Sequence, residues 1–297
     1  IKFEKAFKIF ILELKQIISS NYENLEIIHI INSRCIIDKK TFFGLPKNET
    51  NFNNLKIDFK IICLPKKLTN LLRYNFNKIN LNLSNIFCAS YVKSLAYLNK
   101  LNLNKVSFLD IGYERTNLLT YINNNLIFFK TLPIGSDHIT RDISKVLNID
   151  PREAEKLKKI FNKSETEFSY HDDSKENNLI VKDILKKNIS IELLKKVILY
   201  RVQEIIDLAF KNKELKISSR NLKNTELFLI GEGALLFNNN AFHLNNKIEF
   251  KSINFFSETG SQICNSGLTY YLNSYEIPKI TRKKAGLFER FFNFFSR

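Results

Sequence analysis

Three apolar segments in direct succession restrict the fold of this chain more than any other feature of its sequence. They are residues 106–111, 116–122 and 126–132. Each is rich in Val, Ile, Leu or Phe, and a run of three asparagines begins directly after the second. Short apolar runs bounded by turn residues predict β-strands, and their close spacing predicts an antiparallel meander. We therefore expect a sheet built around these segments.

Patterns on either side of the meander predict an α/β protein. After it, apolar spacing predicts helices at 136–147, 151–161, 190–213 and 258–271, and strands at 226–230 and near Ile248. Before it, the patterns predict helices at 3–18, 66–79 and 89–99, and strands at 25–31, 34–38 and 56–64. Asp150 and Pro151 are a favourable N-cap and first helical residue for the second helix after the meander.

The composition excludes several classes of protein. Only 8 of the 297 residues are Gly, and the 4 Cys are scattered, so a collagen-like chain and a disulfide scaffold are excluded. No run of about 18 uncharged apolar residues occurs, so no transmembrane helix is predicted. The formal charge of +16 comes mostly from dispersed Lys. We do not expect nucleic acid as a partner, although a basic nucleic-acid-binding protein remains an alternative.

The few glycines should mark positions where the backbone needs a positive φ or a close approach. Asp110 and Gly112 stand at the end of the first meander strand, where a carboxylate can hold hydrated Mg²⁺ and a glycine lets the backbone approach phosphate. Ordinary hairpins also contain this pair, and residues 231–234 equally fit a simple left-handed turn. Glu155 and Lys158 lie three apart on a predicted helix, which by itself predicts a surface ion pair.

No group of polar side chains predicts a catalytic centre. His29, His138, His171 and His243 are far apart in the sequence and lack the spacing of metal ligands. We therefore predict no catalytic residue.

The segment 285–297 has the pattern of an amphipathic helix with a basic approach. Phenylalanine rings on one side can bury in the acyl boundary of a membrane, while basic residues attract an anionic leaflet. The predicted membrane-binding residues are Lys283, Lys284, Leu287, Phe288, Phe291, Phe292, Phe294 and Phe295. The alternative is a terminal helix packed on the protein's own core.

Several motifs resemble those of the FtsA family of bacterial cell division proteins, which are relatives of actin, and they occur in the same order along the chain as in the family. Residues 108–112 with Thr116 resemble the family's second phosphate hairpin, and residues 154–158 resemble its Ala-Glu-x-Ile-Lys helix. The other matching segments are residues 132–143, 197–205, 231–234 and 266–268. The resemblance covers nearly the whole chain.

This resemblance implies an actin-like, ribonuclease H-like fold of two lobes. The implied parts are an inserted 1C-like subdomain at 1–83, the rest of the first lobe at 84–104, the second lobe at 105–274 with a 2B-like insertion at 159–213, a linker at 275–284 and the amphipathic helix at 285–297. In the family, the first phosphate hairpin precedes the inserted subdomain, with which this sequence begins. We therefore expect the N-terminal part of the first lobe to be missing from the chain.

The resemblance also implies ATP and Mg²⁺ as cofactors, with Asp110 as the metal-binding residue. The implied nucleotide-binding residues are Asp110, Gly112, Thr116, Gly135, Thr140, Asp142, Glu155, Lys158, Gly231, Glu232, Gly233 and Ala234. The family's Gly-Gly-Gly-Thr turn is here Gly112-Tyr113-Glu114-Arg115-Thr116, so glycines are missing at positions 113 and 114. Bulky side chains there oppose a close approach to phosphate, while the guanidinium of Arg115 can supply donors.

The function implied by the resemblance is that of a scaffold in cell division with at most slow ATP hydrolysis. Such a protein polymerises with itself, binds the C-terminal tail of FtsZ and other divisome proteins, and anchors the FtsZ ring to an anionic membrane. Its expected location is the cytoplasmic face of the inner membrane at the septum, as a peripheral protein. A pilus-assembly actin homologue that binds a partner peptide is an alternative from the same superfamily.

Overall fold

The computed structural model describes residues 3–44, 52–163, 190–211, 225–237, 250–256 and 260–274. The helices are α1 (Phe3–Asn21), α2 (Lys66–Lys78), α3 (Ala89–Lys100), α4 (Ser136–Leu147), α5 (Pro151–Lys163), α6 (Ile191–Phe210) and α7 (Gly260–Ser274), with a 3₁₀ helix at Glu232–Phe237. The strands are β1 (Leu25–Ile37), β2 (Lys40–Phe43), β3 (Leu55–Pro65), β4 (Lys105–Ile111), β5 (Thr116–Ile122), β6 (Asn125–Leu132), β7 (Glu226–Ile230) and β8 (Ser252–Phe255).

A five-stranded sheet with the order β6-β5-β4-β7-β8 forms the centre of the protein. The predicted meander is confirmed, because β4, β5 and β6 pair antiparallel. The turn between β5 and β6 places Asn123 and Asn124 at φ values of 49° and 62°. Asparagine tolerates this left-handed conformation better than other non-glycine residues, so it suits a tight hairpin. The later strands β7 and β8 extend the sheet in parallel on the other side of β4.

Both faces of this sheet are covered, so β4 is apolar along most of its length. Leu109 and Ile111 belong to a core cluster that includes residues from α4, α5 and α6. Val106 and Phe108 belong to a second cluster, which includes residues from α3 and α7. Alternate residues of a strand point to opposite faces, and here both faces are buried, which is why the segment reads as a continuous apolar run.

A second sheet, with the order β2-β1-β3, lies in the first part of the chain. The prediction of two separate strands at 25–31 and 34–38 is wrong, since β1 is a single strand with register shifts against β3 at Ile27/His29 and Asn32/Arg34. Such bulges let one strand continue through a polar interruption by bending it locally. The strand observed closest to the one predicted near Ile248 is β8, which begins at Ser252. Ile248 itself lies outside the described residues.

His29 connects this second sheet to the rest of the protein. It is buried on β1, where its Nε2 accepts a hydrogen bond from the backbone N–H of Cys88 at 2.9 Å. The rings of Phe87, Tyr91 and Tyr271 surround it at centroid distances of 5.0–5.9 Å. Its Nδ1 is buried and has no hydrogen-bond partner among the described residues. Burial in this apolar setting lowers the pKa of His29 from 6.5 to about 4.

The depressed pKa of His29 predicts a loss of stability in mild acid. Below its ordinary pKa the unfolded chain takes up the proton first, so stability falls as the pH drops from about 6.5 towards 4. We expect His29 to account for about 2 kcal/mol of the free energy of unfolding lost between pH 7 and pH 5. Urea denaturation at both pH values, with His29→Gln as the comparison, measures this contribution. An equal loss in the variant and the parent protein would contradict the prediction.

Candidate functional site

A cavity of about 530 Å³ opens where β4 ends, beside the turn that joins β4 to β5. Its walls come from the start of α3, from that turn, from the residues after β7 and from the start of α7. Volumes of this order are typical of sites that hold small molecules. Among the lining residues, Lys93 and Arg115 are basic, and Asp110, Glu114 and Glu232 are acidic. The cavity therefore offers ionic contacts of both signs.

Asp110 lies at the centre of a chain of hydrogen bonds in the cavity wall. The ammonium of Lys93 donates to its Oδ1 at 2.6 Å, and the hydroxyl of Ser90 donates to its Oδ2 at 2.5 Å. The amide of Asn117 donates to the Ser90 hydroxyl at 2.8 Å, and Thr131 donates to the amide oxygen of Asn117 at 2.7 Å. These contacts fasten α3 to β4, β5 and β6.

The surroundings of Asp110 do not fit a magnesium ion bound directly to its carboxylate. Both carboxylate oxygens accept hydrogen bonds, and the Lys93 ammonium already supplies the balancing positive charge. The pair is well shielded, with the side chains of Lys93 and Asp110 only 11% and 4% exposed. In the part of the chain that the structure describes, no group of three or more His, Cys, Asp or Glu residues could hold a metal ion.

Glycines beside the cavity allow backbone segments to approach each other closely. Gly231 adopts a φ of +89°, and a Cβ there would lie 2.4 Å from Oδ1 of Asp110. A Cβ on Gly233 would lie 2.5 Å from Cγ2 of Ile111, and one on Gly135 would lie 2.4 Å from the carbonyl oxygen of Tyr113. Any side chain at these positions would push neighbouring segments apart. The expectation that the scarce glycines mark constrained backbone is confirmed here.

The turn between β4 and β5 also supports the start of α4. The carbonyl oxygens of Gly112 and Tyr113 accept hydrogen bonds from the backbone N–H groups of Ser136 and Asp137 at 2.9 and 2.8 Å. The first N–H groups of a helix have no partner within the helix itself, so this turn satisfies two of them. Thr116, at the start of β5, donates its hydroxyl to the carbonyl oxygen of Ile134 at 2.7 Å, on the segment that leads into α4.

Three of the implied nucleotide-binding residues form an internal cluster between α4 and α5. The buried ammonium of Lys158 donates to the carbonyl oxygen of Ser136 at 3.0 Å and to the hydroxyl of Thr140 at 2.7 Å, and it lies 2.6 Å from Glu155. Burial would raise the pKa of Glu155, but hydrogen bonds from Lys158 and Thr140 outweigh it and hold that pKa below its ordinary value. The cluster joins the two helices and does not line the cavity.

Asp142 contacts α6 instead of the cavity. Its carboxylate accepts two hydrogen bonds from the guanidinium of Arg201, at 2.5 and 2.9 Å. Arg201 also contacts Glu204 one turn further along the same helix, at 2.6 Å. Paired guanidinium and carboxylate groups of this geometry are among the stronger polar contacts in proteins. Asp142 therefore connects α4 to α6.

The predicted nucleotide-binding residues thus fall into two groups. Those that line the cavity are Asp110, Gly112, Gly231 and Glu232. Those that lie in its supporting structure are Thr116, Gly135, Thr140, Asp142, Glu155, Lys158, Gly233 and Ala234. Sequence reasoning did not select Ser90 and Lys93, although their three-residue spacing on the helix before β4 puts both on one face.

The predicted membrane-binding residues, from Lys283 to Phe295, lie outside the described residues. Among the helices that the structure does describe, none is both long and apolar enough to cross a membrane.

Comparison with known proteins connects this chain to a family of cell division proteins. The family model of the cell division protein FtsA matches residues 107–265. FtsA of Bacillus subtilis is 24% identical over 203 residues, which are 67% of this chain and 44% of that protein. FtsA of Helicobacter pylori strain 26695 is 31% identical over 151 residues, or 45% of this chain and 31% of that protein. The chain spans less than half the length of these curated relatives.

Comparison with solved structures identifies the fold. The PilM–PilN type IV pilus biogenesis complex contains a chain with a TM-score of 0.51 and 12% identity, and the match covers 88% of this chain and 70% of that one. At such low identity the likeness concerns the fold alone. The expected actin-like fold is thereby confirmed. Because the family match extends over more than half of the chain and includes most of β4, the turn after it and β7, this chain belongs to the FtsA family of cell division proteins.

Proposed function

We propose that this chain acts in bacterial cell division as an FtsA-like adaptor. In this role it binds an adenine nucleotide, assembles with copies of itself and attaches the FtsZ ring to the cytoplasmic face of the inner membrane at the septum. The observation that carries the proposal is the family match over residues 107–265, which includes all the residues that line the cavity except Ser90 and Lys93. The likeness to the pilus protein concerns the fold alone and does not favour the pilus-assembly alternative.

Partner contacts belong to two further parts of the chain in this proposal. The 1C-like unit at residues 1–83 serves contacts within the polymer and with other divisome proteins. The insertion at 159–213 takes the C-terminal tail of FtsZ. The protein acts as a scaffold with at most slow ATP hydrolysis.

The nucleotide part of the proposal is supported by the size and charges of the cavity. The cavity offers about 530 Å³ and two basic side chains, Lys93 and Arg115. When bound, the nucleotide would bring phosphate groups, for which a guanidinium is a well-matched donor. Arg115 at the exposed rim and the paired Lys93 deeper in the wall would hold those groups. Because Lys93 already neutralises Asp110, the proposal needs no metal ion bound to that carboxylate.

Calorimetric titration with ATP tests this site, once with Mg²⁺ and once with EDTA. We expect binding in at least one condition, and we expect Arg115→Ala to weaken it about tenfold, because a charged hydrogen-bond donor is lost. Arg152→Ala is the matched control, since Arg152 is exposed on α5 and does not line the cavity. Absence of binding in both conditions, or an equal effect of the two variants, would refute the nucleotide site.

The membrane part of the proposal rests on the sequence of residues 285–297. Phenylalanine rings that enter the bilayer would supply apolar contact, and each basic residue close to an anionic leaflet adds roughly 1 kcal/mol of binding free energy. We expect the full chain to float with vesicles that contain phosphatidylglycerol, and a version ending at Glu276 to float much less. Equal flotation of both proteins would show that this segment is not the anchor.

A further inference from the structure

An exposed face of α2 combines apolar and basic side chains without any acidic neighbour in the sequence. Residues 59–109 contain 8 Lys or Arg and no Asp or Glu. Within this stretch, Lys67, Leu71, Tyr74 and Lys78 lie on α2 at spacings of four, three and four residues. Residues spaced in this way form one line along a helix. We call this line the α2 face.

The α2 face points away from the protein. The opposite side of the helix carries Thr69 and Arg73, which both bond to the carboxylate of Glu26 on β1. Thr69 is completely buried, whereas Leu71 and Tyr74 are 53% and 57% exposed. The Thr69–Glu26 and Arg73–Glu26 contacts thus fix which side of α2 faces solvent. The charge of Arg73 is neutralised by Glu26, so the positive charge of the α2 face comes from its two lysines.

The α2 face has the side-chain order of a helix that lies in a membrane surface. Its two apolar residues are central, with one lysine towards each end of the helix. Lysine stems can run along apolar groups while their ammonium groups reach lipid phosphates. The Lys78 ammonium stands 4.6 Å from the centre of the Tyr74 ring. Tyrosine is favoured at such interfaces, because its ring is apolar and its hydroxyl is polar.

Further exposed apolar side chains lie on the first turn of α2 and directly after its end. Ile79 and Leu81 follow the helix directly and are 64% and 53% exposed, and Leu68 on its first turn is 43% exposed. Exposed apolar side chains in such numbers near one helix are typical of interaction sites. Pairing with the same face of a second copy would bring Lys67 and Lys78 against further lysines, which opposes self-association through this face.

We propose that the α2 face, formed by Lys67, Leu71, Tyr74 and Lys78, is a binding surface for an anionic phospholipid bilayer. None of these four residues lines the cavity or belongs to the segment 285–297, so the proposal goes beyond the function proposed above. A bilayer with phosphatidylglycerol headgroups supplies negative charge for the two lysines. Its acyl region supplies an apolar environment for Leu71 and Tyr74. Together with the anchor at 285–297, this attachment would fix the orientation of the 1C-like unit at residues 1–83 relative to the membrane.

A single introduced tryptophan tests the proposal directly, because the full chain contains no Trp. Leu71→Trp places the probe at the centre of the α2 face. We expect its fluorescence to shift to shorter wavelength with vesicles of phosphatidylcholine and phosphatidylglycerol, and to stay unchanged with phosphatidylcholine alone. Tyr200→Trp is the matched control, because Tyr200 on α6 is 74% exposed and belongs to another part of the protein. Its fluorescence should not change with either vesicle.

A second measurement tests the contribution of charge. Lys67→Gln combined with Lys78→Gln in the full chain should lower the partition coefficient for the anionic vesicles about 25-fold, since two near-surface lysines are lost. Both positions are exposed, so the double variant is expected to keep the circular dichroism and melting temperature of the parent protein.

The possible outcomes separate this surface from the proposed anchor at 285–297. If the Leu71→Trp protein floats with anionic vesicles and its fluorescence stays unchanged, the α2 proposal is overturned while the anchor stands. A shift with soluble polyglutamate but not with vesicles would overturn it in favour of an acidic protein partner. A shift of the Tyr200→Trp control would also overturn it, because adsorption would then be unspecific. A protein that neither floats nor shifts overturns both proposals.

Discussion

Replacing Gly267 with alanine is expected to lower the free energy of unfolding by about 2–3 kcal/mol, because overpacking of a close contact costs energy of this order. Gly267 lies in the middle of α7, where this helix crosses α3. A Cβ at this position would lie 1.8 Å from the carbonyl oxygen of Val92 and 2.5 Å from its carbonyl carbon. These are backbone atoms of a buried helix, so they cannot rotate away as the end of a side chain could. The two helices must separate instead.

Helix propensity alone predicts that Gly267→Ala raises the free energy of unfolding, so the experiment distinguishes propensity from packing. Alanine is better than glycine in a helix interior by about 1 kcal/mol. Gly260→Ala is the matched control, since Gly260 begins the same helix and a Cβ there would have no heavy atom within 4 Å. Urea denaturation should show a loss for Gly267→Ala and little change for Gly260→Ala. Equal stability of the two variants would mean that α7 does not pack on α3 as described.

Replacing Lys93 with methionine is expected to cost about 3 kcal/mol of the free energy of unfolding, because it leaves a buried carboxylate without its counter-charge. Lys93 lies 2.6 Å from Oδ1 of Asp110, and Asp110 is only 3% exposed. Methionine keeps most of the length of the lysine side chain, so the variant chiefly removes the charge. The Ser90 hydroxyl still donates to Asp110, which places the expected loss at the lower end for buried ion pairs.

The double variant Lys93→Met/Asp110→Asn separates the ion pair from simple packing. It should recover much of the lost stability, because the uncompensated charge is no longer present. Lys196→Met is the matched control: this lysine pairs with Glu192 at 2.7 Å, but both side chains are more than half exposed. Breaking such a surface pair is expected to change stability little. Urea denaturation of all variants at constant salt measures these differences in the free energy of unfolding. An equal loss of stability in Lys196→Met and Lys93→Met would show that burial of the Lys93–Asp110 pair does not determine the effect.

Much of the fold could be predicted because its elements depend on local patterns. The helix expected at 136–147 is observed at Ser136–Leu147, and the strand expected at 226–230 at Glu226–Ile230. Both have apolar spacing that matches one secondary structure and clear turn residues at their ends. The sheet β2-β1-β3 was predicted less well, because a bulge lets β1 pass through Asn32 and Ser33, which read as a break.

The candidate site could be predicted only in part. Asp110 and Gly112 were found because a strand end, a carboxylate and a glycine are adjacent in the sequence. Lys93 was not found, since an ordinary lysine on a helix carries no sign of the carboxylate that it will meet 17 residues later. The internal contacts of the Lys158 ammonium, with Ser136 and Thr140, also carry no sign in the sequence.

The sequence by itself determined most of the strands and helices and the turns between them. These properties follow from backbone sterics and from the spacing of apolar residues, which act over a few neighbouring positions. The tertiary structure alone decided which polar groups meet across long separations in the sequence. Asp142 pairs with Arg201 across 59 residues, and His29 bonds to the backbone of Cys88 across the same separation. Such contacts depend on how whole elements dock, because burial makes each polar group require a partner wherever packing brings one.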